Sequence, residues 1–395
     1  MKKSLLVFII FLILFPIQVK AESNNNIDWY ESTKDLMSEY VNELNTSEWT
    51  PYLKYIKEEG VDVFGNESAV EIIMQLVSGQ FTFSWKDCLS KLVKIFFREL
   101  TLNLVLIVKI IVIAIFCGIF KNMNDSFNNP SVGEVGYFAC YSIVMILVVQ
   151  SFISILTIGK TSIDKMSNFM QLLFPVLIGL LMSIGNFSTA AILQPAIGVL
   201  VGSIGSVLTR FIFPLITLSA VTTLLNQVSE RIQIKNLGKL LNNLCTWTLA
   251  FIFTLFISIL AIQGVLTASV DGITIRTAKF AADTFVPIVG KMLSQSLDAI
   301  VGCALLVKNA VGAAGLIILT LLCFAPAMKI LSFLFLYKFT GALLEPVTDK
   351  RIVESLNGIG NVISILLVTI MGVAIMFFLT ISLMISTGNT TVMFR

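Results

Sequence analysis

The sequence predicts an all-α protein that crosses a membrane several times, and three observations carry that prediction. The chain of 395 residues is 56% hydrophobic and only 13% charged, with a mean hydropathy of +0.91. Soluble chains carry about 25% charged residues. Several apolar runs reach the roughly 20 residues that a helix needs to cross a bilayer, without the polar alternation of a membrane β-barrel. The apolar second half also reads as an internal repeat of broken helices, preceded by a small N-terminal extracytoplasmic helical region.

The N-terminus has the layout of a secretory signal over residues 1–21. Lys2-Lys3 is the basic region, Leu5 to Phe15 the apolar region, and Val19-Lys20-Ala21 a small-x-Ala cleavage site. The apolar run is also long enough to serve as an uncleaved anchor. Residues 22–99 are different material. Up to residue 90 they hold thirteen acids against four lysines, and three of the four tryptophans. Leu36, Tyr40 and Leu44, then Val70, Ile73, Met74 and Val77, recur at helical spacing. Gly60, Gly65-Asn66 and Gly79 read as breaks. Lys91, Lys94 and Arg98 share one face of a closing amphipathic helix, which either lies on the membrane surface or holds its charges above the first crossing.

The first two transmembrane helices fall in residues 100–158, at about 100–120 and 135–158. Repeat 1 spans 159–268. It opens on an interfacial stretch, Lys160 to Gln171, and continues through an apolar run broken at Gly185-Asn186, Gln194-Pro195 and Arg210. The outer pieces are short enough for half-helices or a re-entrant hairpin. Leu244 to Leu266 is an unbroken crossing. Repeat 2 and the C-terminal tail span 269–395.

The repeat rests on marks in a shared order. LLNQVSER (224–231) returns as LLEPVTDK (343–350), each with Leu-Leu, a valine, a hydroxyl residue, an acid and a base. Phe174-Pro175 matches Phe285-Val286-Pro287, and Phe213-Pro214 matches Ala325-Pro326. Three crossings per unit would invert the second copy, and an even number would make the copies parallel. The basic residues do not decide, because the segments 226–243 and 268–295 carry three each.

Charges at membrane depth are expensive and normally face protein or water. Lys308 sits between Leu305-Leu306-Val307 and Ala310-Val311. Asp298 lies ten residues earlier, about three turns away on roughly the same face. The pair are candidates to line a hydrated pathway or to bond each other. The structural alternative has Lys308 anchoring a helix at a bilayer edge and Asp298 capping its start. Lys109 and Arg210 read as packing or snorkelling residues. Gly198, Gly202 and Gly205, and Gly312 with Gly315, are candidates for close helix packing. Pro175, Pro195, Pro214, Pro287 and Pro326 are candidate helix breaks, tolerated where helices are buried or line a cavity, or else simple kinks.

Enzymatic chemistry finds no support. The chain has no histidine, which removes the commonest general base and metal ligand. There is no phosphate-binding loop, nucleophile elbow or metal-ligand spacing. The six cysteines form no Cys-x-x-Cys pair and read as small apolar residues, with Cys88 placed as a free external thiol. The expectation is therefore a non-enzyme with no catalytic residues, cofactor, metal site or nucleic-acid partner.

Three segments carry a family resemblance: FPVLIGLLMSIGNFSTAAILQPAIG (174–198), FVPIVGKMLSQSLDAIVGCALLVKNAVGAAGL (285–316) and EPVTDKRIVESLNGIGNVISILL (345–367). On these the chain resembles the stage III sporulation protein AE family of spore-forming Firmicutes. The resemblance implies a multi-pass subunit in the mother-cell membrane around the forespore. It implies a sporulation channel or export complex linking mother cell and forespore and needed for late forespore development. The implied partners are other stage III A-cluster membrane proteins and the forespore stage II sporulation protein Q. Two other functions fit the residues as well, a stand-alone secondary transporter of a small solute and a membrane scaffold without a pathway.

Overall fold

A computed structural model describes residues 37–42, 44, 46–61, 63–65, 67–81, 85–126, 130–228, 235–268 and 289–393. The expected signal at 1–21, Pro287, and the amphipathic stretch 269–288 lie outside these residues. Two short helices come first, α1 (Thr50–Glu58) and α2 (Ala69–Ser78). Long helices follow: α3 (Trp85–Ser126), α4 (Pro130–Ser183), α5 (Phe187–Val207), α6 (Phe213–Val228), α7 (Lys235–Ala268), α8 (Val289–Leu344) and α9 (Lys350–Met393). Six stretches of these are long and apolar enough to cross a membrane.

Local sequence sets the ends of the short helices. Ser68 and Glu71 form a reciprocal capping box at the start of α2, which satisfies two otherwise orphaned backbone donors. Gly79 ends α2 in the left-handed region, at φ 70°, where glycine carries no Cβ penalty. Gly60 and Gly65 also have positive φ. The N-terminal helices pack on the long bundle. Trp49 and Tyr52 meet Phe169 edge-on, with ring centroids 5.6 and 5.2 Å apart. The Lys165 ammonium sits 2.8 Å from the Tyr55 ring centre, and Lys329 is ion-paired with Glu59.

Several expected boundaries are absent. No turn separates the amphipathic segment from the first crossing, because α3 runs unbroken from Trp85 to Ser126. Residues 159–183 continue α4 from the second crossing. The reason is physical: Lys, Arg, Glu and Gln are good helix formers, so a polar patch marks a change of surroundings without ending the helix. Gly159 stays helical in α4, with the Leu366 side chain where its Cβ would be.

The candidate proline breaks need correction too. Pro175, Pro195 and Pro326 lie inside continuous helices. A proline removes one backbone hydrogen bond, and in packed membrane helices neighbouring groups tolerate that loss. Pro214 is the second residue of α6, directly after a π-helical turn at Leu208–Ile212. The break that does form is at Ile184–Asn186, where Gly185 takes φ 89° and the chain folds back. Ser167 lies against Gly205 and Phe174 against Gly198, so α4 and α5 form an antiparallel hairpin.

Two further hairpins hold the ends of the Leu-Leu motifs. LLNQVSER runs out of α6 towards α7, and LLEPVTDK closes α8 onto α9. In the first, Ser219 donates to the Asn242 side chain at 2.7 Å. In the second, Cys323 meets Met371 at 3.7 Å. The hairpins lie side by side. The Thr223 side chain occupies the space beside Gly358, Phe253 beside Gly372, and Leu383 beside Gly264. The last two pairs advance together, so α7 and α9 run parallel and the C-terminal ends of α6 and α8 sit at one end of the bundle.

Candidate functional site

Lys308 is 1% exposed. Its ammonium donates to the backbone carbonyls of Ile385 at 2.9 Å and Met384 at 3.4 Å on α9. The charge is thus held by carbonyl dipoles of the facing helix. Asp298 belongs to the backbone of α8, but its side chain lies outside the described residues, so the expected pairing is not among the contacts seen. Gly312 and Gly315 bring the same helix close to its neighbours: a Cβ at Gly312 would strike Ile385, and one at Gly315 would strike Leu173.

The other glycine candidates divide. Gly198 makes ordinary contact with Phe174, at 3.5 Å from an ideal Cβ position. Gly202 has nothing within 4 Å of that position, which corrects its assignment to close packing. It is half of an i, i+4 pattern but faces a cavity. Sequence pattern shows spacing, and the partner helix decides whether the space is filled. Lys109 is exposed on α3, where its stem can follow the apolar surface. All six cysteines are free thiols, and Cys88 is buried, not exposed.

The turn between α8 and α9 is pinned by residues from two other helices, α3 and α4. Asp349, 7% exposed, pairs with Lys121 at 3.1 Å and accepts from the Tyr137 hydroxyl at 2.7 Å. The Arg351 amide donates to its other side at 3.3 Å. Thr348 donates to the Ala114 carbonyl at 2.7 Å, and the Val347 carbonyl lies where a Cβ on Gly118 would be. Burial pushes the Asp349 carboxyl up, but the bonds from Tyr137, Arg351 and Lys121 outweigh it and hold its pKa below the ordinary aspartate value. The motif marked Asp349 in the sequence; Lys121 and Tyr137 carried no signal, because their roles depend on α3 and α4 meeting this turn.

Further along α8, Lys338 donates to the Asn361 side chain at 2.8 Å and the Asn357 carbonyl at 3.0 Å. Tyr337, fully buried, bonds Ser151 and the Val148 carbonyl. Sequence reasoning missed both, since a lone polar residue in an apolar run does not reveal its partner.

This architecture defines a polytopic helical membrane protein whose polar contacts tie helices together. The stage III sporulation protein AE family profile matches residues 68–388. The stage III sporulation protein AE of Bacillus subtilis (strain 168) is 32% identical over 329 residues, covering 83% of this chain and 82% of that protein. The chain belongs to the stage III sporulation protein AE family. No solved structure matches it.

Proposed function

We propose that this protein is an integral subunit of a sporulation channel or export complex, set in the mother-cell membrane around the forespore and needed for late forespore development. It works without catalysis, holding the complex together through membrane helices and presenting turns to partners. Those partners are the other stage III A-cluster membrane proteins and the forespore stage II sporulation protein Q. Besides family membership, the observation that carries the reading is the placing of Thr223 against Gly358. That contact brings the C-terminal end of α6 beside the start of α9, next to the turn after α8, which supports a paired surface suited to docking. The two turns read as parallel copies of one duplicated hairpin.

The test is affinity purification of the tagged protein from sporulating cells. Recovery of the cluster proteins with wild type, and their loss when Glu345 and Lys350 are both changed to alanine, supports the reading. Undiminished recovery with that variant sinks the docking surface. A second reading, a stand-alone transporter, draws on the buried ammonium of Lys308. Solute movement by the protein reconstituted alone would favour it over the subunit role.

A further inference from the structure

A polar cavity of about 220 Å³ lies between α4 and α5, lined by Asp164, Ser167, Asn168, Gln171, Thr209 and Arg210 among others. It sits at the height where the N-terminal helices pack, since Phe169, next to Asn168, carries Trp49 and Tyr52. It opens outward past the exposed Asn168, Gln171, Ser206 and Arg210.

Three independent features mark it as built to hold something. Ser167 is 4% exposed, and its Oγ has no hydrogen-bond partner; neither does Oγ1 of Thr209. Buried polar groups are normally satisfied, so two orphaned hydroxyls in one cavity, on facing helices, are unusual. The wall opposite α4 contains the π-helical turn Leu208–Ile212, which carries Thr209 and Arg210. Single π turns inside α-helices recur at functional sites. Finally, Asp164 and Arg210 line the same cavity, yet neither has an ion-pair partner among the described residues. Opposite charges in an otherwise apolar bundle are costly unless something neutralises them.

We propose that this cavity binds a small zwitterion, a solute carrying one carboxylate and one ammonium group, of the class of the free amino acids. Arg210 takes the carboxylate and Asp164 the ammonium. The Ser167 and Thr209 hydroxyls, with the Asn168 and Gln171 amides, supply the remaining hydrogen bonds. A bare anion would satisfy Arg210 and lie against the Asp164 carboxylate; a bare cation would do the reverse. Size limits the ligand as well. The volume corresponds to about seven waters at about 30 Å³ each and falls below the range of about 300–1,000 Å³ of drug-sized pockets. The absence of a Cβ at Gly202, where nothing lies within 4 Å, keeps the cavity open.

The experiment uses the full chain in lipid nanodiscs. Calorimetric titrations with glycine, L-alanine, L-serine and L-glutamine are compared with sodium acetate and methylammonium chloride. Saturable binding of at least one amino acid is expected, with neither acetate nor methylammonium binding comparably. Arg210→Gln and Asp164→Asn should each weaken it at least tenfold, and Ser206→Trp, which fills the cavity from an exposed position, should abolish it. Lys109→Gln, exposed on α3 and outside the cavity lining, should leave it unchanged. The assignment is overturned if no amino acid binds wild type, if acetate or methylammonium binds as tightly, or if Ser206→Trp binds normally. The result is independent of membership in a sporulation complex.

Discussion

The Phe253 side chain fills the space beside Gly372, where any Cβ would collide with it. The separation in sequence that carries Leu224 to Leu343 also carries Phe253 to Gly372, so the contact joins matching points of the two hairpins. Filling this notch is expected to force α7 and α9 apart. Gly372→Ala should destabilise the protein by about 1–3 kcal/mol, the usual cost of overpacking, whereas Gly202→Ala, on the open cavity wall, should stay within about 1 kcal/mol of wild type. Thermal unfolding followed by the onset of aggregation in detergent distinguishes the two.

Parallel hairpins have a consequence for sidedness. Single cysteines at Asn226 and Glu345, introduced into a cysteine-free chain, should react with a membrane-impermeant thiol reagent from the same side. A cysteine at Ser183, about 69 Å along α4 from Tyr137 at about 1.5 Å per residue, should react from the other. Labelling of Asn226 and Glu345 from opposite sides would overturn the parallel arrangement.

Much of this was legible in the sequence, and the failures have physical causes. Class, the crossings and the break at Gly185-Asn186 followed from composition and from the one residue type that accepts a positive φ. Pro175, Pro195 and Pro326 misled because a proline costs a single hydrogen bond inside a helix held by its neighbours. Gly372 went unnoticed beside Gly312 and Gly315, since its importance comes from the ring of Phe253 on another helix. Asp164 likewise drew no comment, because α5 brings Arg210 to it only after the chain folds back.

Asp349 anchors the turn between α8 and α9, and Asp349→Asn should loosen it. The change removes the ion pair with Lys121 and weakens the bond from Tyr137, a loss of about 1–3 kcal/mol. The pH dependence has a definite sign. The carboxyl has a pKa below its ordinary value of 3.8, so its contribution is complete above that pH and is lost as pH falls through the folded value. Wild type and variant should therefore differ in stability at neutral pH and converge in strong acid, as measured by thermal unfolding across a pH series.

Lys308 offers a separation of stability from function. Lys308→Met keeps most of the length of the side chain and deletes a buried charge that, among the described residues, is held by the Met384 and Ile385 carbonyls, so the variant should accumulate in membranes at wild-type level. Charges kept at such a cost in membranes are usually functional. Late forespore gene expression, read with a reporter, should fall in the variant; a normal reporter signal would assign Lys308 to packing alone.

The helix lengths have a bearing on the membrane itself. The apolar stretch Ile300–Leu344 spans 45 residues, about 68 Å at about 1.5 Å per residue, against a hydrocarbon layer of about 30 Å. Lys329, near two-thirds of the way along it, is tied to Glu59 of the N-terminal helices, so those helices pack against part of this stretch. The stretch is longer than one such layer, and Phe251, Ile262 and Val265 are bare on α7 as well. Greasy height that no bilayer can clothe has to be clothed by protein, which makes solitary existence unfavourable for this chain.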